Sequence, residues 1–148
     1  MRSFHYGEIA FAAPPKWSDL SVVTLTDRAE QTADEGAPSV SLTRESAAGK
    51  TPLETLARRL VASHAKTVKA HAIVDEGPAE IDGAPAFRSE QRFETRDAVA
   101  LHQLQYFFAT PVGDVALLSF TCAVDRIDAH RSLFESIARS VRRESVDA

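Results

Sequence analysis

Gly49-Lys50-Thr51 stands directly before a helix start signal, the placement that a phosphate-binding loop uses. In such a loop backbone amides cradle phosphate oxygens while the lysine neutralises them, but the motif needs a glycine where Arg44 stands. Pro52 also withholds an amide at the helix start where an anion would sit. The stretch therefore reads as a glycine turn followed by a capped helix. The histidines, His5, His64, His71, His102 and His130, never fall at the close spacing of a metal motif. Ser119 lies in "LLSFT", without the flanking glycines of a nucleophile elbow. Cys122 is the only cysteine, which excludes an intrachain disulfide framework and a cysteine-rich metal site. It follows Ala116, Leu118 and Phe120 on the even side of its run, so it reads as an inert core thiol. Asp75-Glu76 reads as ordinary loop acidity. No catalytic residue, metal or cofactor is expected.

Bulk properties narrow the class. A chain of 148 residues can bury a real core as one domain, 1–148, and 44% hydrophobic with 26% charged residues is ordinary for a globular protein. A net charge of −4, with Lys and Arg scattered, argues against a nucleic-acid surface. No run has the length of a membrane span or a signal peptide, so a cytoplasmic location is expected.

The apolar patterns divide the chain into elements. Residues 4–12 and 20–25 read as strands around "APPKWSD", where Pro14 and Pro15 stop ladder pairing and Trp17 would anchor packing. Residues 26–38 are acidic, small and Gly/Pro-terminated, a loop signal. "SVSLTRE", 39–45, alternates at strand period. In "TPLE", Thr51, Pro52 and Glu54 have the spacing of a capping box, and Leu53, Leu56, Leu60, Val61 and Val68 follow on one helical stripe. From about residue 71, turn signals at Asp82-Gly83, Arg96-Asp97 and Gly113-Asp114 separate the strands of an antiparallel meander. Within it, Arg88, Glu90, Arg92 and Glu94 read as the solvated side of a strand whose other side carries Phe87 and Phe93. The last segment is a second amphipathic helix, with Asp125 as cap and Ile127, Leu133, Phe134, Ile137 and Val141 turned inward. The expected fold is α+β, with a single antiparallel β-sheet of about six or seven strands and two main helices.

One sheet face draws interest. With the helices placed on the even side of the strands, the odd side carries Ser39, Ser41, Thr43, Leu101, Gln103, Gln105, Leu117 and Ser119, a half-apolar surface dotted with hydroxyls and amides. A solvated face is usually richer in charge. That face suits either a covering loop or dimer partner, or a groove for an apolar helix whose polar atoms Gln and Ser could satisfy.

"FHYGEIAFAAPPKWSDLSVVTL", "PSVSLTRE", "AEIDGAPAFRSEQRFE" and "LHQLQYFFATPVGDVALLSFT", in this order and spacing, resemble the DcrB-related family with its Mog/PsbP-like fold, over roughly residues 4 to 142. Within that family the chain is similar to the Eag-type chaperones of type VI secretion. The resemblance implies a non-enzymatic, cytoplasmic homodimer that binds hydrophobic N-terminal transmembrane helices of PAAR-type effectors and keeps them soluble for loading on the secretion spike. By the same resemblance Val23, Ser39, Ser41, Gln103 and Gln105 line the groove, with Leu101 and Leu117 as its apolar floor. The alternative that it leaves open is an accessory domain of PsbP/DcrB type with an unrelated protein partner. Neither implies a cofactor, nucleic acid or membrane insertion.

Overall fold

The structure, a computed structural model, describes residues 2–6, 9–14, 22–26, 37–45 and 51–143. Trp17, most of the acidic 26–38 segment, and Gly49 and Lys50 lie outside these residues, as do the expectations attached to them.

The architecture is α+β. Strands β3 (Val23–Thr26), β4 (Ser39–Glu45), β5 (Lys69–Ile81), β6 (Ala84–Glu94), β7 (Ala100–Ala109) and β8 (Val115–Ala123) form a six-stranded antiparallel sheet in the order β3-β4-β8-β7-β6-β5. Helix α1 (Leu53–Ala65) lies between β4 and β5 in sequence, and α2 (Ile127–Ser140) follows β8 through a 3₁₀ turn, Val124–Arg126. Residues 4–12, expected as one strand, are instead the two arms of a hairpin, β1 (Arg2–Tyr6) and β2 (Ile9–Ala13), with Tyr6 opposite Ile9. The missed signal is Gly7-Glu8, a Gly-X dipeptide of the kind that two-residue hairpins use.

The meander follows its turn chemistry. Ile81 pairs with Ala84, and the two residues between them take positive φ, 51° at Asp82 and 73° at Gly83. These values match the turn whose twist suits antiparallel strands. Gly83→Val is expected to cost about 1–2 kcal/mol from backbone strain alone, since no neighbouring atom would meet the added Cβ. Urea denaturation reads this directly. Asp82 also ties down the chain end, because its Oδ2 accepts the Arg143 backbone N–H at 2.9 Å. That bond, more than the nearby Arg142 and Arg143 charges, lowers the Asp82 pKa.

Because β8 inserts between β4 and β7, the chain leaving β4 must cross three strands to reach β5 at the far edge. Helix α1 makes that crossing on the odd face, and α2 covers the even face. The expectation that left the odd side without a helix is thus corrected. The stripe of α1, with Ala57 and Val61 buried and Leu53, Leu56 and Leu60 beside them, packs on Phe87, Phe107, Val115 and Leu117. On the even face Ile127, Phe134 and Ala138 of α2 close over Leu104, Tyr106, Phe108, Leu118 and Phe120.

Three local expectations also change. The cap of α1 is Pro52, whose carbonyl accepts the Leu56 amide, and Glu54 pairs with Arg58 at 2.9 Å instead of completing a capping box. The cap of α2 is Arg126, not Asp125, which lies in the 3₁₀ turn. Leu133 is exposed, one step round the helix from buried Phe134.

Candidate functional site

Residues directly opposite in neighbouring strands share a face, so the register defines the surface of each side. On the odd face one row runs Thr24, Ser41, Ser119, Gln105, Ser89, and the next runs Thr26, Ser39, Thr121, Gln103, Gln91. These hydroxyls and amides are wired together. His71 Nε2 donates to Gln91 Oε1 at 2.7 Å, Gln91 Nε2 donates to Gln105 Oε1 at 2.5 Å and to Ser89 Oγ at 3.2 Å, and Gln105 Nε2 donates to Ser119 Oγ at 3.1 Å. The chain of bonds runs in one direction and places the His71 proton on Nε2. Ser89, Gln91, Gln105 and Ser119 are all buried. Burial is tolerable because each amide has its partner.

A cleft of about 310 Å³ opens between α1 and this polar ladder. Gln103, Gln105, Phe107 and Leu117 line it from the sheet, Leu60, Ser63, His64 and Thr67 from the helix side, and Glu45 from the end of β4. His64 packs edge-on against Phe93 at 4.9 Å, and burial, then neighbouring His71, lower its pKa, so the ring is neutral at physiological pH.

The even face is apolar at one end and ionic in the middle. Glu90 is only 4% exposed. Its Oε1 accepts from His102 Nε2 and Arg131, each at 2.6 Å, and its Oε2 from Arg88 at 3.1 Å. Burial would raise the Glu90 pKa, but the bonds from Arg131 and His102 and the charges of Arg131 and Arg88 outweigh it and hold the carboxyl at about 2. The side of β6 expected to be solvated is therefore partly beneath α2, and Arg131 of that helix supplies the counter-charge. Cys122 sits opposite His102 in the register, yet it is fully buried, and both ring nitrogens of His102 are engaged, Nδ1 by Arg92 at 3.4 Å. A thiol nucleophile could not use that imidazole as base.

Beyond α2 the even face carries exposed apolar side chains. Val23 (40% exposed), Leu25 (63%) and Leu42 (38%) stand on the β3–β4 wing, and Leu133 of α2 (52%) faces solvent beside them. A second cleft of about 200 Å³ runs between wing and helix, lined by Leu25, Val40, Leu133, Phe134 and Ile137 with Thr26, Pro38, Ser39 and His130.

The seven residues expected to share a groove are thereby divided. Gln103, Gln105 and Leu117 line the cleft beside α1. Ser39 and Ser41 continue their rows on β4, and Leu101 is buried on the same face opposite Phe93. Val23 is the correction: it pairs with Leu42, and Leu42 with Leu118, which puts it on the even face. A one-residue difference in register reverses a side chain's face. The even-face apolar wing was missed because Val23, Leu25 and Leu42 look like ordinary strand residues until the extent of α2 is known. Among the described residues no group of His, Cys, Asp or Glu could hold a metal ion, and no helix is long and apolar enough to cross a membrane.

The family model for DcrB matches residues 8–140. The chain belongs to the DcrB family. This DcrB-family chain also resembles solved structures. A Pseudomonas aeruginosa protein of unknown function, PA94, aligns over 99% of both chains with a TM-score of 0.81 at 16% identity. The cyanobacterial PsbP of Synechocystis aligns over 90% of this chain and 98% of its own, with a TM-score of 0.54 at 16% identity. LpqN, involved in cell envelope biogenesis of Mycobacterium tuberculosis, gives 0.50 at 12% identity over 95% and 87%. At these identities the likeness establishes the PsbP-like fold. No curated protein matches the sequence.

Proposed function

We propose that this DcrB-family chain is a non-enzymatic chaperone or adaptor that holds a hydrophobic helix of another protein against the β3–β4 wing. The observation that carries the reading is the wing itself, where Val23, Leu25, Leu42 and Leu133 stand exposed beside an apolar cleft. Large apolar side chains gathered at one place mark a docking surface, whereas scattered ones do not. Covering them is worth about 25 cal/mol per Å² of apolar area, and a membrane-spanning helix left in water gains the same on its own side. The resemblance to Eag-type chaperones supplies the partner: the N-terminal transmembrane segment of a PAAR-type effector, kept soluble in the cytoplasm before loading on the type VI secretion spike. In this reading the chain acts as one domain over residues 1–148, as a homodimer and without a cofactor. Ser39 lines the wing cleft, whereas Ser41, Leu101, Gln103, Gln105 and Leu117 belong to the opposite face and serve the partner only if it wraps the sheet edge.

Co-expression with the PAAR-type effectors of the source genome tests it. The expected result is a co-purifying complex that the double variant Leu25→Glu, Leu133→Glu loses, while its urea midpoint stays close to that of the parent protein. No complex with any such effector, or a complex indifferent to the double variant, would remove the reading. A monomeric mass by light scattering would remove the dimer from it. An accessory role with an unrelated protein partner, suggested by the PsbP-like fold, would survive loss of the effector complex but not loss of every wing-dependent partner.

A further inference from the structure

The last turn of α1 docks on the odd face, opposite the wing, through a titratable ring. His64 lies in that turn, partly buried, where it lines the cleft beside the helix. The ring meets Phe93 of β6 edge-on at 4.9 Å and His71 of β5 edge-on at 6.4 Å. Its Nδ1 atom is buried with no hydrogen-bond partner among the described residues. A neutral imidazole tolerates this, because one of its nitrogens carries no proton. The imidazolium carries a proton on both. Whichever tautomer the neutral ring adopts, the charged ring therefore buries a donor without an acceptor.

The neighbouring elements offer that charge little. Phe93 of β6, Gln103, Gln105 and Phe107 of β7, and Leu117 of β8 are all uncharged. His71 of β5 would add a like charge on taking up its second proton. Lys66, exposed just past the helix, is a further cation, whereas Lys69 pairs with Glu94, and Glu94 with Ala100, which puts both on the even face. Glu45 of β4 is the one carboxylate in the cleft lining, and a helix C-terminus itself favours a cation. Burial, then His71, override both and hold the His64 pKa below 6.5.

The connection to β5 is short and strained. The His64 carbonyl accepts the Thr67 backbone N–H at 2.9 Å and the Thr67 hydroxyl at 2.8 Å. Three residues on, Ala70 takes φ 50°, in the left-handed region that a Cβ disfavours, where β5 shifts register against β6 between Lys69 and Ala72. His71 can donate through Nε2 to Gln91 Oε1, at 2.7 Å, in both of its protonation states. The sheet thus keeps its histidine, and the helix end is the part free to move.

We propose that His64 and His71 form an acid-sensitive latch, in which proton uptake by His64 lifts the last turn of α1 off the odd face and opens the cleft over Phe107 and Leu117. The docked ring takes up a proton less readily than a ring in water, so the latch is closed above pH 6.5 and is released progressively as pH falls below it.

Hydrogen exchange of the full chain at about pH 7.5 and about pH 5.5, corrected for the intrinsic pH dependence of exchange, reads the latch while surface carboxylates stay ionised. The expected result at the lower pH is a loss of protection at the amides from His64 to Thr67, with α2 unchanged. In His64→Gln, which stays polar but does not titrate, that loss should vanish. Proton NMR of the His64 ring is a second readout that does not depend on how this variant folds. The ring should titrate below 6.5 in the parent protein, and its pKa should rise in His71→Gln, where a like charge is gone. Equal protection at the two pH values, an equal loss in His64→Gln, or a loss shared by α2 would overturn the latch. So would a His64 ring that titrates at or above 6.5, or one indifferent to His71→Gln.

Discussion

Between pH 7 and pH 3 the protein is expected to lose about 2 kcal/mol of stability through Glu90 alone. The carboxyl titrates at about 2 in the folded chain against an ordinary 4.5. A depressed folded pKa stabilises at pH values above the unfolded one, so the contribution is complete near neutrality. It is lost as pH falls through 4.5 towards 2. The unfolded chain takes up the proton first, because only the folded chain surrounds the carboxylate with Arg131, His102 and Arg88. Urea denaturation at the two pH values measures the effect. In Glu90→Gln, which keeps the shape but cannot ionise, this part of the acid sensitivity should vanish. Equal acid sensitivity in the two proteins would mean that the carboxylate is not held by these cations.

Phe120→Ala is expected to cost about 3–5 kcal/mol, the range for removing a fully buried aromatic ring. Phe120 is 0% exposed at the middle of β8, stacked on Phe134 of α2 at 5.0 Å and edge-on to Tyr106 at 6.1 Å. The ring therefore joins the central strand to the helix that forms one wall of the wing cleft, and its loss should loosen α2 before the odd face is touched. Leu133→Ala, one residue from Phe134, is the control: an exposed side chain should shift stability by no more than about 0.5 kcal/mol. Chemical denaturation compares the two. A loss below about 1 kcal/mol for Phe120→Ala, or a comparable loss for Leu133→Ala, would contradict the packing of α2 described above.

Both effects bear on what could be read from the sequence. The alternation of "SVSLTRE", the apolar stripe from Leu53 to Val61 and the turn dipeptides of the meander specified strands, a helix and hairpins, because period, cap and turn chemistry are local properties. The family pattern was equally legible, since it consists of those same local features in order. Glu90 was not. A carboxylate in "FRSEQRFE" looks solvated, and nothing near it in sequence announces Arg131 forty-one residues later. Likewise Gln91, Gln105 and Ser119 are polar residues of ordinary strands until their register brings two neighbouring rows into one bonded network.

Sequence by itself determined the kinds and order of the elements after the first hairpin, the α+β composition and the hydrophobic stripe of each helix, because each depends on neighbours within a few residues. Tertiary structure alone decided that β8 lies between β4 and β7. From that one placement follow the crossing of α1 over the odd face, the cleft beside it and the exposed apolar side chains of the wing beyond α2. Strand order depends on contacts between residues far apart in the chain, and alternation along a strand says which residues share a side but not which helix, if any, covers it.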